Sequence, residues 1–275
     1  MIQSMINSSV TMGQLQRKLD TIGHNLSNSN TTGFKRRDVT FSDLLSQQVN
    51  NQNVVHHEIG RQTPNGLRVG TGAAVAQTAL RLQQGSIQTT ERPLDLAITE
   101  NSYFFELEEA DGNRRFTRDG AFYLSPNPNN PEENLLVNQN GEFVLSAEGN
   151  RITFPSQYED ILISNNGMIE VRTTNEGNVV VGQLQLVQIT KPQLITMLGN
   201  NTFVFQNLEQ QQLNYGDVLN EAAGTDVIMQ RALEHSNVDM GKEMTELMLT
   251  QRNYEFNARA ISITDQMMGL VNTIR

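Results

Sequence analysis

The sequence predicts a mainly β protein with terminal α-helices. An antiparallel β-rich central domain is flanked by N- and C-terminal heptad helices that form a coiled-coil-like assembly domain. At both ends of the chain, apolar residues recur every seven positions, whereas in the middle they alternate with polar residues every two. Asp-Gly and Asn-Gly dipeptides, which are typical of tight hairpins, separate the runs in the middle.

The N-terminal apolar row predicts one helix with a single apolar seam. The seam consists of Met5, Met12, Leu15, Leu19, Ile22 and Leu26. Small polar residues follow at 27–31, and their side-chain oxygens compete for the backbone donors of a helix. Gly33 can then adopt the left-handed conformation that turns the chain away, so the helix is expected to end before it.

The last fifty residues predict a second, longer helix. Asn237 or Asp239 can cap its start, and no proline interrupts the chain to about Asn272. The predicted assembly positions are Met240, Met244, Leu247, Tyr254, Ala258, Ile261 and Met268. Two further positions of this seam are Gln251 and Asp265, so it is half polar and suits a helix that meets several neighbours.

The middle of the chain predicts hairpins. The turn dipeptides are Asp111-Gly112, Asn140-Gly141 and Asn166-Gly167. Residues 179–190 alternate glutamine with leucine, which predicts one half-buried strand. Glu106 and Glu108 alternate with apolar residues, which predicts a solvated strand face. Residues 125–134 are rich in proline and asparagine and indicate a polar loop.

These patterns divide the chain into five segments. Residues 1–46 form the N-terminal helical assembly segment, and 226–275 form its C-terminal counterpart. The β-rich central domain covers 75–205 and is followed by a linker at 206–225. Residues 47–74 are weakly patterned, and an irregular segment of that length is uncommon unless it has a function.

Composition and motifs argue against catalysis. With thirty acidic and twenty basic residues, the net charge is −10, which disfavours a nucleic-acid partner. The chain has no cysteine, no apolar run long enough to span a membrane, and no N-terminal pattern of a cleaved signal peptide. His56-His57-Glu58 is the most metal-like cluster, but adjacent side chains of an extended segment point to opposite sides. We therefore predict no catalytic, cofactor or metal residues and no enzyme activity.

Two terminal strings resemble the signature of a known family. "LDTIGHNLSNSNTTGFK" and "SNVDMGKEMTELMLTQRNYEFNARAISITDQMM" are similar to the two ends of the flagellar axial proteins, which comprise rod, hook and hook-associated subunits. The internal strings "PNGLRVGTG", "QGSIQTTERPLDLAI" and "RRFTRDGAFYL" resemble the distal-rod branch. The divergent rod-type proteins of Gram-positive bacteria are a good candidate within that branch.

The resemblance implies a structural subunit of the flagellar basal-body rod. Such a subunit polymerises through its terminal helices into the axial tube that transmits torque to the hook. Its implied partners are further copies of itself, other rod and hook subunits, and the flagellar type III export apparatus, which uses no cleaved signal peptide. The weakly patterned stretch at 47–68 is implied to lie between adjacent subunits. The alternatives are a hook or hook–filament junction subunit and, from another class, a secreted enzyme such as a cell-wall hydrolase carrying a rod module.

Overall fold

The structure is a computed structural model that describes residues 2–43, 46–49, 67–70, 73–128, 130–173, 177–206, 208, 212–222 and 224–273. The chain divides into two compact units. Unit 1 comprises Met1–Leu26, Arg37–Ala79 and Met240–Arg275. Unit 2 comprises Ser27–Arg36 and Leu80–Asp239.

The described residues form three α-helices, a short 3-10 helix and many short strands. The helices are α1 (Ile2–Ser27), α2 (Tyr215–Val218) and α3 (Met240–Thr273), and the 3-10 helix is Pro192–Leu194. The strands are β1 (Arg37–Asp43), β2 (Ser46–Val49), β3 (Leu67–Gly70), β4 (Ala73–Leu80), β5 (Ile87–Thr89), β6 (Leu96–Ile98), β7 (Tyr103–Glu108), β8 (Arg114–Thr117), β9 (Tyr123–Pro126), β10 (Glu133–Val137), β11 (Phe143–Val144), β12 (Thr153–Pro155), β13 (Asp160–Ile163), β14 (Met168–Thr173), β15 (Gly177–Gln183), β16 (Leu186–Ile189), β17 (Ile195–Gly199), β18 (Thr202–Phe205), β19 (Leu219–Glu221), β20 (Ile228–Gln230) and β21 (Ala232–Glu234).

Unit 1 contains the two long helices and two small sheets. Strand β1 pairs with β4, and β2 pairs with β3 in antiparallel register, with Ser46 opposite Gly70 and Val49 opposite Leu67. The N-terminal and C-terminal helices therefore belong to one unit although they lie at opposite ends of the sequence.

Unit 2 is built on a ten-stranded sheet whose main path runs β12-β10-β11-β7-β8-β18-β17. Strand β16 pairs with β7 and β19, and β9 pairs with β10. A separate three-stranded sheet has the order β13-β14-β15. Two apolar cores flank β7, because Phe105 and Leu107 contribute to one and Phe104 to the other.

The hairpin signals and the helix bounds are confirmed. Gly112, Gly141 and Gly167 have φ angles of 81°, 84° and 83°, the left-handed values that hairpin turns require. Strand β10 pairs antiparallel with β11, and β13 with β14. Helix α1 ends six residues before Gly33, whose φ is 66°, and α3 begins one residue after Asp239.

Two interpretations of the β region are wrong. Residues 179–190 form not one strand but parts of β15 and β16, which lie in different sheets. Glu106 does not lie on a solvated face, because it is only 3% exposed. The second error arises because the large sheet is covered on both faces here, so alternation no longer separates a buried face from a wet one.

The segments predicted around the central domain also fold differently in part. The stretch at 206–225 contributes α2 and β19, and β19 pairs with β16 of the large sheet, so it is more than a linker. Strands β20 and β21 lie within 226–239 and pair with β6 and β5. The 125–134 loop is bounded by the paired strands β9 and β10. His56-His57-Glu58 and most of 47–66 lie outside the described residues.

Candidate functional site

The two terminal helices contact each other directly. Lys18 Nζ lies 2.7 Å from a carboxylate oxygen of Glu246, and the Asn25 amide donates to Glu243 Oε2 at 3.3 Å. As the residue number rises along α1 it falls along α3, so the helices run antiparallel. Asn25 also exchanges two hydrogen bonds with the backbone of Arg37, at 2.8 Å and 3.0 Å.

The predicted seam of α1 lies on its less exposed face. Leu15 and Ile22 are buried, at 9% and 4% exposure. The remaining four positions are partly buried: Met5, Met12, Leu19 and Leu26.

The predicted positions on α3 divide into two groups. Leu247, Tyr254, Ala258 and Ile261 are partly buried. Met240, Met244 and Met268 are exposed, at 45%, 49% and 37%. The most buried row of α3 is polar and contains Glu243, Thr250 and Thr264, at 6%, 2% and 6% exposure. The Thr250 and Thr264 hydroxyls donate to backbone carbonyls four residues earlier, so they are buried with their hydrogen bonds satisfied.

A second apolar row runs along the outside of α3 at strict seven-residue spacing. We call it the outer row, and it consists of Leu249, Phe256, Ile263 and Leu270, at 54%, 75%, 56% and 64% exposure. Between the outer row and the face against α1 lie Asn253 and Met267, which are exposed, and Ala260, which is partly buried. Helix α3 thus carries two heptad faces, one against α1 and one facing outwards, about a quarter to a third of a turn apart.

Helix α3 is longer than its partner. Its 34 residues span about 51 Å and the 26 residues of α1 about 39 Å at 1.5 Å per residue. Extrapolated from the Lys18–Glu246 and Asn25–Glu243 contacts, the antiparallel pairing places the start of α1 opposite about residues 262–266 of α3. The last two turns of α3 therefore extend past α1, and the exposed Met267, Leu270 and Val271 lie in them.

Unit 2 contains a buried charge cluster formed by Lys35, Arg118 and Glu234. Lys35 is the last residue of the N-terminal signature string. Lys35 Nζ lies 2.6 Å from Glu234 Oε1, and Arg118 Nε lies 2.7 Å from Glu234 Oε2. The three side chains are at most 1% exposed. Lys35 also donates to the Gln83 carbonyl, and the Gly85 amide donates to Glu234 at 2.7 Å. The cluster joins segments from both ends of the sequence to the sheet.

Further residues of the same string bind the β unit. The Thr32 hydroxyl donates to Asp119 at 2.9 Å, and the Asn201 amide donates to the Thr32 carbonyl at 2.7 Å. Gly33 packs so closely that an added Cβ would lie 2.5 Å from the Asp119 backbone nitrogen. Asn237 was a predicted helix cap, but its side chain instead accepts from the Arg36 amide and donates to the carbonyls of residues 81 and 83.

Burial sets the electrostatics of this region. Loss of hydration lowers the pKa of Lys35 to about 8, with a further decrease from the Arg118 charge and an opposing increase from Glu234. Burial also lowers the pKa of Arg118. The pKa of Asp119 is raised by burial, against the hydrogen bond from Thr32. At neutral pH the ammonium of Lys35 is therefore still charged, and it pairs with Glu234.

Comparisons with known proteins cover the whole chain. It is 41% identical to the flagellar hook-basal body complex protein FlhP of Bacillus subtilis (strain 168), with all of both chains aligned. It is 33% identical to the flagellar basal-body rod protein FlgG of Borreliella burgdorferi, over 100% of this chain and 99% of that one. The FlgG of Bacillus subtilis is 30% identical over the full length of both.

The chain belongs to the flagellar basal-body rod protein family. It is a structural rod subunit of the flagellar basal body, similar to distal-rod proteins. Three family models match it: flagella basal body rod protein at residues 7–35, the flagellar hook protein FlgE/F/G D1 domain at 97–171, and the flagellar basal body rod FlgEFG protein C-terminal at 229–274. The outer two regions include Lys35 and Glu234, so the charge cluster links both terminal family regions of this rod subunit.

Within the described ranges, no group of three or more His, Cys, Asp or Glu side chains could hold a metal ion. No described helix is both long and apolar enough to cross a membrane. Neither the charge cluster nor the outer row was predicted from the sequence. The charged residues inside the signature strings were a signal for the first, and the strict spacing of Leu249 to Leu270 was a signal for the second.

Proposed function

We propose that this rod subunit polymerises through its terminal helices into the axial tube that transmits torque to the hook. The observation that carries the proposal is the outer row of α3. Its four large apolar side chains are each more than half exposed and recur every seven residues, which is the pattern of a helix that packs against another helix.

The two heptad faces of α3 suit a wall of helices. One face contacts α1 of the same chain through Glu243 and Glu246. This arrangement leaves the outer row to a helix of a neighbouring subunit. Because the two faces are not on opposite sides of the helix, a row of subunits joined through both faces follows a curve. A head-to-tail contact that does not close into a ring extends into an open helical tube.

A single helix–helix contact through the outer row stabilises a pair of subunits only weakly, whereas several such contacts together hold a subunit firmly. Completing the burial of the four outer-row side chains, which are 54–75% exposed, contributes roughly 4–7 kcal/mol in total. Loss of translational and rotational freedom offsets a comparable amount. A pair of subunits is then only marginally associated. A subunit at the end of a growing tube meets several neighbours at once, so assembly occurs there and is disfavoured between free subunits.

The marginal stability of the isolated terminal helices also suits export of the subunit. We propose that the flagellar type III apparatus exports the chain without a cleaved signal peptide. Terminal helices that gain most of their burial from neighbours remain only marginally stable in isolation. A narrow channel can therefore accept them unfolded, and folding is completed at the tip of the tube.

The test replaces neighbouring residues on different faces of α3. Ile263→Asp puts a negative charge on the outer row. Ser262→Asp introduces the same charge one residue away, on a different exposed face. A carboxylate buried in an apolar interface costs several kcal/mol, so Ile263→Asp should abolish rods and motility, whereas Ser262→Asp should retain both. Motility assays and electron microscopy of basal bodies measure the outcome.

Two further variants test the inner face, Leu19→Asp on α1 and Leu247→Asp on α3. Both should stop motility while the melting transition of unit 2 stays unchanged. Normal rods with Ile263→Asp would refute the role of the outer row. Normal rods with both inner-face variants would refute assembly through the paired helices.

A further inference from the structure

An open pocket of about 500 Å³ lies on one face of the large sheet of unit 2. Its walls combine charged and apolar side chains. The lining residues are Glu106, Arg114, Val187, Tyr215, Gly216, Leu219, Asn220 and Glu221. Val187 and Leu219 belong to one of the two apolar cores, so the pocket opens where that core ends.

The charges of the pocket are not balanced. Glu106 and Glu221 supply two carboxylates, and Arg114 supplies one cation. The Arg114 guanidinium lies 3.2 Å from Glu106 Oε1, but its side chain is 51% exposed, so solvent screens the pair. The guanidinium also lies over the ring of Tyr215. One negative charge therefore remains for a ligand to neutralise.

Glu106 is the unusual group of this pocket. Its side chain is 4% exposed, and its buried Oε1 lies 3.2 Å from Arg114 Nη1 without meeting the geometry of a hydrogen bond. A buried carboxylate oxygen that accepts no well-aligned hydrogen bond keeps part of its desolvation cost uncompensated. Burial raises the pKa of Glu106, with a further increase from Glu221 and a decrease from Arg114. The oxygen is poised to accept from a cationic donor.

We infer that this pocket is a binding site for a single basic side chain, arginine or lysine, presented by a neighbouring subunit. The aliphatic stem would lie against Val187, Leu219 and the Tyr215 ring, and the charged head would meet Glu106 and Glu221. Long basic side chains bury their stems on apolar surface and keep the charge at the rim in this way. The lining residues named above belong to unit 2, so the inference does not depend on the role proposed for the terminal helices.

The first experiment titrates the full chain with N-acetylarginine amide and N-acetyllysine amide. The methyl NMR signals of Val187 and Leu219 report occupancy. N-acetylglutamine amide is the neutral control and should cause no shift. Glu221→Gln, a change at an exposed carboxylate that should not disturb folding, should weaken binding about fivefold. Glu106→Gln should weaken it at least as much, and Glu148→Gln, at an exposed turn residue, should have no effect.

The pH dependence supplies an independent readout. Because the pKa of Glu106 is raised, binding should weaken on acidification at a higher pH than for an ordinary carboxyl, and Glu106→Gln should remove that dependence. Equal shifts with the neutral amide, or unchanged affinity in Glu221→Gln, would overturn the inference.

The second experiment asks whether a subunit is the occupant. The natural chain has no cysteine, so Asn220→Cys places a single thiol at the pocket. This thiol should react with a maleimide in the free subunit and be protected in isolated basal bodies, whereas Glu148→Cys should react in both. Equal reactivity of Asn220→Cys in the two states would refute a neighbouring subunit as the occupant. Ile263→Cys in the same assay reports separately on the outer row, so failure of one proposal is distinguished from failure of the other.

Discussion

Glu234→Gln is expected to destabilise unit 2 strongly. The carboxylate accepts from Lys35 at 2.6 Å, from Arg118 at 2.7 Å and from the Gly85 amide at 2.7 Å. Glutamine keeps one oxygen acceptor but replaces the other oxygen with an NH₂ donor. That donor would face Arg118 or Lys35, each of which has only hydrogens to offer.

The magnitude follows from burial. Removing one partner of a buried ion pair leaves an uncompensated buried charge and costs about 3–5 kcal/mol. Here two cations, on side chains at most 1% exposed, lose their common anion, so the upper half of that range is expected. A whole domain is stable by only about 5–15 kcal/mol, so the variant should be near its unfolding threshold.

Urea unfolding of the full chain, followed by circular dichroism, measures the effect. With a denaturant slope of about 2–3 kcal/mol/M, a loss of about 4–5 kcal/mol should lower the midpoint by roughly 1.3–2.5 M. Glu148→Gln removes an exposed carboxylate and should change stability by less than about 0.5 kcal/mol. Lys35→Met should lie between the two, because it leaves the pair of Glu234 and Arg118 intact. A Glu234→Gln midpoint equal to that of Glu148→Gln would refute the reasoning.

Three more predictions concern the same unit. Gly33→Ala should lower the free energy of unfolding, measured in urea melts, by about 2 kcal/mol or more beyond the loss in Gly112→Ala. Both glycines have a positive φ, but of the two only Gly33 has backbone atoms within contact of an added Cβ. Equal losses in the two variants would contradict this. The folded pKa of Lys35 (about 8) is below its usual 10.5, so the unfolded chain binds more protons between those values. The stability difference between the natural chain and Lys35→Met should therefore grow as pH rises from 8 to 10.5, and a flat difference would reject the shift. A chain starting at residue 27 and ending at 239 should melt higher than one starting at 80, which lacks Lys35 and Thr32; identical melts would show that residues 27–36 do not stabilise the unit.

Local patterns were enough to predict the terminal helices and three hairpins of this protein. The heptads predicted both terminal helices, because amphipathic spacing along a helix is a property of neighbouring residues. The Asp-Gly and Asn-Gly dipeptides predicted hairpins for the same reason, since Gly112, Gly141 and Gly167 supply conformations that the turn itself requires. The signature strings at both ends were sufficient to indicate the family.

Only the tertiary structure decided which faces are buried. Glu106 looked solvated because its neighbours alternate, but the large sheet is covered on both sides, and no local pattern carries that information. On α3, hydrophobicity favoured Met244, yet the helix buries Glu243 and Thr250, whose polar groups find partners on α1 or on their own backbone. The charge cluster joins Lys35 to Glu234 across 199 positions of sequence. From sequence alone, a charged residue is expected at the surface, because only a paired charge can be buried at an acceptable free-energy cost. Only the tertiary structure shows that the counter-ion lies within reach.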